Sequence, residues 1–314
     1  MLFRIRALVV AGVLLTFLLL GGCATPQVQA LLAQPPQGLP SRVELSEVPF
    51  FPQEEYQCGP AALATVLRHA GISISPEALV QHVYLPARQG SLQTEILAAA
   101  RSHGQLAYRL APRLQDLLTE VAAGNPVIVL QNLSLAFAPI WHYAVVIGYD
   151  LGREEIILRS GTTRNLSMTL TSFEHTWARG RHWAMIALPP NRLPETATEV
   201  DHVSASAALE RVSPLSARHA YVTALEQWPK NLIARLGLGN VAYSQGDLVL
   251  SEYSYRHATV DHPGSGDAWN NLAQVLFELN RKDEALTAAK KAVALGGPRI
   301  SIYRMTLDSI VNSD

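Results

Sequence analysis

A proline-bounded stretch, Pro189-Pro190-Asn191-Arg192-Leu193-Pro194, divides the 314-residue chain into two unlike parts. Beyond it, landmarks return every 34 residues: Pro229 and Pro263, Leu238-Gly239 and Leu272-Ala273, Ala258 and Ala292. A fixed period of that length implies stacked helix pairs, because one pair alone cannot bury its apolar face. Gln245-Gly246-Asp247 supplies an inter-helix turn, and Ala217, Tyr221 and Ala224 supply the second helix of an earlier, degenerate unit. Before the proline stretch the pattern is mixed. Helices are expected over residues 60–69, from Ser75-Pro76-Glu77 onward, over 91–100 with Ser91 as cap, and over 114–123, where Gly124-Asn125-Pro126 stops the chain. Strands are expected over 127–130, 143–147, 155–159 and 183–188. Helices first and strands second imply an α+β domain followed by an all-α one.

The 34-residue period, with small residues where two antiparallel helices touch, resembles the tetratricopeptide repeat. That resemblance assigns residues 205–314 to a tetratricopeptide-repeat domain, 191–204 to a linker, and a protein partner to the groove of the repeats. Unrelated paired helices are the plainer alternative.

The amino terminus reads as a targeting segment. Arg4 and Arg6 precede an uncharged, almost wholly apolar run over 7–20, too short to span a bilayer core of roughly 30 Å comfortably and suited to a signal peptide. Leu20-Gly21-Gly22-Cys23 resembles the bacterial lipobox. It implies a signal peptide over 1–23, acylation of Cys23, and a membrane lipoprotein; Ala24, where an aspartate would favour the inner membrane, points to the outer membrane, facing the periplasm. An ordinary secretory signal or a membrane-spanning anchor is the alternative. Residues 24–40 lack periodicity and are expected to form a flexible tether. Net charge is −1 with no basic run, which leaves no electrostatic footprint for nucleic acid.

With Cys23 lipidated, Cys58 becomes the single thiol of the mature chain. In an oxidising compartment a lone thiol is either an inert core residue or a reactive one. The context Gln53-Glu54-Glu55-Tyr56-Gln57-Cys58-Gly59-Pro60-Ala61-Ala62 sets the sulfur at a helix N-terminus, where the macrodipole and free amides are expected to lower its pKa. Its own amide and a side-chain amide, from Gln53 or Gln57, could bind a developing oxyanion. This stretch resembles the bacteriocin-processing (double-glycine leader) cysteine peptidases and the wider papain-like group. The resemblance favours Gln53, five residues before Cys58, over Gln57. It also implies a histidine opening a strand in a His-aromatic-small-apolar pattern, which His142-Tyr143-Ala144-Val145-Val146 fits, 84 residues after Cys58. The family carries an aspartate at the end of the next strand; here Ser160 holds that position, Asn165 is a weaker orienter, and Asp150 lies too far along the strand from His142. Residues 41–190 are thus expected to form a papain-like cysteine peptidase domain.

The function implied is a membrane-anchored cysteine endopeptidase acting on a peptide or protein substrate in the periplasm, through Cys58 and His142 and without a cofactor. A cell-wall amidase and a non-catalytic peptide-holding scaffold are the alternatives, the second favoured by the missing carboxylate. Glu54, Glu55, Arg179 and Arg181 read as solvated charges, and the sequence holds no metal-ligand spacing.

Overall fold

The computed structural model describes residues 25–53 and 57–313. Cys23 and the expected signal peptide lie outside the described residues. No helix among the described residues is long and apolar enough to cross a membrane.

The first part of the chain is built on an antiparallel sheet. Strands β4 (Leu106–Arg109), β5 (Val127–Asn132), β6 (Trp141–Asp150), β7 (Glu155–Ser160), β8 (Thr163–Thr169) and β9 (Ala184–Leu188) run in the order β4-β9-β5-β6-β7-β8. A short β1 (Arg42–Glu44) pairs with the far end of β6, past the reach of β5. Alternation along the strands sends side chains to two cores. On one face Tyr143, Val145, Ile147, Ile128 and Leu130 pack under helices α2 (Cys58–His69), α3 (Pro76–Val83) and α4 (Gln93–Ser102). On the other, Ala144, Val146, Val127 and Val129 pack under α5 (Leu114–Ala122) and α6 (Leu170–Arg179). The α+β expectation holds, and each strand read from the sequence overlaps an observed one, the last of them starting at Ala184 and not at Trp183.

Three expectations are corrected. Residues 24–40 are not wholly a tether: α1 (Pro26–Ala33) buries Val28 and Leu31, and the Glu174 carboxylate accepts the Gln27 and Val28 amides at 3.1 and 2.7 Å. That long-range cap, and not local periodicity, fixes the helix. Ser91 does not cap α4; it pairs with Tyr84 in a two-residue ladder between β2 (Tyr84–Leu85) and β3 (Gly90–Ser91), and α4 starts at Gln93. The linker is shorter than 191–204, because Thr198 accepts the Asp201 amide and opens helix α7 (Glu199–Ala207).

The second part is helical: α8 (Pro214–Gln227), α9 (Leu232–Ser244), α10 (Leu248–Asp261), α11 (Gly266–Glu278), α12 (Lys282–Leu295) and α13 (Ile300–Val311). The repeat landmarks sit where helices approach. A Cβ on Gly239 would overlap the Tyr255 ring, and one on Gly237 the Tyr221 ring. Asn231, Asp247 and Ser265 each accept an amide of the first turn that follows, capping α9, α10 and α11.

Candidate active site

Cys58 is the first residue of α2, and the apolar run Ala61-Ala62-Leu63-Ala64 presses that helix onto β6. Gly59 is needed there because a Cβ would overlap the Ser91 side chain. The sulfur is half-buried and unpaired in any disulfide. It meets the backbone amides of Tyr143, Gly59 and Cys58 itself. The Tyr143 amide belongs to the residue after His142, so the sulfur lies at the end of β6 where His142 stands.

Cys58 and His142 line one cleft of about 870 Å³, together with Gln53, Ser91, Trp141 and Gly161. His142 Nε2 lies 2.8 Å from Ser160 Oγ at the end of β7. The β6–β7 hairpin therefore returns Ser160 beside His142. Asn165 does not touch His142: its side chain bonds Arg159 and Glu44. Asp150 sits at the opposite end of β6, paired in register with Arg42 and Glu155.

Gln53 reaches the cleft by a chain of contacts. The Leu45 amide donates to Ile147 O, buried Arg159 donates to the carbonyls of Ser46 and Val48, and the Gln53 amide donates to Gly161 O at 3.1 Å. Gln57 precedes α2 with no side-chain cap and does not line the cleft. Arg159 carries no signal in the sequence, and Ser91 only that of a cap it does not form; their places come from contacts across 111 and 52 residues, to Val48 and from Tyr143.

The electrostatics differ from the helix-terminus expectation. Burial pushes the Cys58 thiol up, against the lowering effect of the three amides. Burial also pushes His142 below the ordinary imidazole range. Desolvation favours the neutral form of each group, so in the free protein it outweighs the amides that would stabilise a thiolate.

The walls hold residues that the sequence left as solvated charges. Arg179 and Arg181 line the cleft, with Arg88. The β5–β6 loop adds exposed apolar side chains, Leu133, Leu135, Phe137 and Ile140, and the first residue of β6 adds Trp141. Ser91 Oγ is buried in the cleft wall without a hydrogen-bond partner.

Residues 45–185 match the Peptidase_C39 like family. Residues 203–264 and 266–296 match tetratricopeptide repeat families. No curated protein sequence matches the chain. Among solved structures, the chain is similar to a putative C39-like peptidase from Bacillus anthracis, at 20% identity and a TM-score of 0.40, covering 47% of this chain and 97% of that one. It is also similar to the peptidase domain of Streptococcus ComA, a bi-functional ABC transporter (23% identity, TM-score 0.37, 46% and 99% covered). A double glycine motif protease from an AMS/PCAT transporter, solved with its leader peptide, gives 21% identity and a TM-score of 0.34, with 45% and 91% covered. Residues 45–185 thus resemble a C39-like peptidase domain, and the stretch beyond them resembles a run of tetratricopeptide repeats.

Proposed function

We propose that the protein is a cysteine endopeptidase, with Cys58 as nucleophile and His142 as general base and acid. The observation that carries this reading is the convergence of Cys58, His142 and Gln53 on one cleft, with Ser160 2.8 Å from Nε2 of the imidazole. With Nε2–H donating to Ser160, Nδ1 is the nitrogen free to accept the thiol proton. The thiolate then attacks the peptide carbonyl carbon, and the Cys58 amide and the Gln53 side chain stabilise the oxyanion. The imidazolium passes its proton to the departing amine, leaving a thioester on Cys58. Water, deprotonated by His142, releases the acid product and restores the thiol. Ser160 orients the ring without the charge of a carboxylate, so less imidazolium stabilisation is available than in an aspartate-bearing site.

Acylation of Cys23 would hold the enzyme on the outer membrane, facing the periplasm, and the repeats would present substrate or dock a protein partner. A scaffold that holds peptides without cutting them is the second reading, favoured by the hydroxyl at Ser160 and the raised thiol.

The test is covalent labelling of the full chain with an epoxide peptide probe and with iodoacetamide, followed by intact mass. The enzyme reading expects one adduct on Cys58, forming at pH 7, lost in Cys58→Ala and strongly slowed in His142→Ala. A thiol that reacts only above about pH 8, indifferent to His142, supports the scaffold instead.

A further inference from the structure

The cleft is cationic, and one of its cations, Arg179, is anchored by hydrogen bonds. Arg88 closes a short 3-10 turn (Pro86–Arg88), Arg179 is the last residue of α6, and Arg181 follows two residues later; all three line the cleft that contains Cys58 and His142. Among the described residues lining it there is no aspartate or glutamate. Among the described residues, none of the three guanidiniums lies within 4.0 Å of a carboxylate, although arginines elsewhere in the chain form such pairs.

The 179–182 segment is also rigid. Arg179 Nη1 donates to Asn132 O and Ser134 O, at 3.4 and 3.0 Å. A Cβ on Gly180 would overlap Leu130 O, so the backbone lies directly against β5. Arg181 and His182 both adopt left-handed φ, 56° and 51°, held by amides donating to Ala178 O and Trp177 O. Two consecutive side-chain-bearing residues in that region are costly unless their surroundings impose it. The result is that the Arg179 side chain and the Arg181 backbone meet a ligand with part of their ordering cost already met.

We propose that this cleft selects peptides carrying a carboxylate close to the scissile bond, gripped by Arg88, Arg179 and Arg181; the proposal rests on the peptidase reading of the same cleft. A guanidinium fork binds a carboxylate through paired, charge-assisted hydrogen bonds. The described lining residues include no such anion, and we assign it to the substrate. The carboxylate could belong to an acidic side chain or to a free C-terminus.

The experiment uses fluorescent peptides differing by Glu against Gln at one internal position, each with a free and an amidated C-terminus. Binding is measured by anisotropy on the full-length Cys58→Ala protein, and cleavage on the unaltered protein. The Glu peptide, or the free-acid peptide if the terminus is the group recognised, should bind about tenfold more tightly than its neutral isostere at about 0.05 M salt. That ratio should shrink to about threefold at about 0.5 M salt, where charges are screened within a few Å. In a variant carrying R88Q and R181Q the ratio should fall towards one. Neither side chain makes a hydrogen bond to the protein among the described residues, so the fold is not at stake. Equal binding of acidic and neutral peptides, or a preference undiminished in R88Q/R181Q, overturns the proposal. Binding preference without any cleavage by the unaltered protein would leave the cationic selection standing and remove the peptidase reading.

Discussion

Burial works against the charged forms of both Cys58 and His142, so the free protein holds a thiol beside a neutral imidazole. The consequence is a specific pH behaviour. An imidazole pushed below its ordinary value of about 6.5 stays unprotonated, and able to accept a proton, to lower pH than a solvated one. Ser160 is the lever, because its hydroxyl is the partner of Nε2. Ser160→Asp would place a carboxylate there, stabilise the imidazolium and thereby the thiolate–imidazolium pair. Its iodoacetamide labelling at pH 6 should be about tenfold faster than in the unaltered protein, a shift of roughly one pKa unit. Ser160→Ala should slow cleavage by about tenfold with little change in KM. An unchanged labelling rate in Ser160→Asp, with the variant folded, would remove Ser160 from the orienting role. Cys58 at a helix start could be read from the local Cys-Gly-Pro pattern, whereas Gln53, His142 and the Ser160 position were singled out by the family resemblance; the cleft brings all four near one another. The thiol's raised pKa was not, since it depends on how deeply α2 is pressed onto β6, which no local pattern encodes.

Elements that were missed are those fixed by distant partners. Helix α1 is the clearest case: residues 26–33 carry few helix signals, and the carboxylate that caps them is Glu174, more than 140 residues away. Two charge-assisted bonds to orphan amides at a helix start are worth about 1–3 kcal/mol together with the dipole. Glu174→Ala should therefore release α1, turning residues 26–40 into the flexible segment that the sequence implied. Limited proteolysis reads this directly: cleavage over 26–40 should accelerate at least several-fold while the sheet core remains resistant. Equal protection in the variant would mean that Val28 and Leu31 alone hold the helix. The 179–182 segment was missed for a similar reason. Arg179 and Arg181 look like solvated charges until Gly180 is seen lying against Leu130 O, which turns the end of α6 into the cleft. The repeats, by contrast, could be read from the sequence, because small residues such as Gly239 and Ala273, or Ala258 and Ala292, return every 34 residues where helices pack.

At the scale of the whole molecule, the two domains share a core. Leu106, Tyr108, Ile186 and Leu188 of the sheet pack in one cluster with Val203, Leu209, Tyr221, Ala224 and Leu238 of the first helices beyond it, while the last helices form a separate cluster. The connection is pinned as well: buried Glu120 accepts the Thr196 amide and hydroxyl at 2.7 Å and the Asn125 side chain at 2.7 Å. Inside this joint sits His202 of α7, fully buried, both ring nitrogens without a partner and the Trp228 ring 5.8 Å away. Burial lowers its pKa to about 4. A base whose folded pKa is depressed takes up protons preferentially in the unfolded state, so its stability contribution is intact above about pH 6.5 and is lost progressively as pH falls toward 4. Between pH 7 and pH 5 that linkage costs about 2 kcal/mol. Urea unfolding at the two pH values should show this loss in the transition that contains the sheet and α7–α9. His202→Leu, which removes two unpaired polar atoms from an apolar site, should be at least as stable at pH 7 and should lose about 2 kcal/mol less on acidification. Parallel pH dependence in the two proteins would place the acid sensitivity elsewhere and show that the joint tolerates a charged His202.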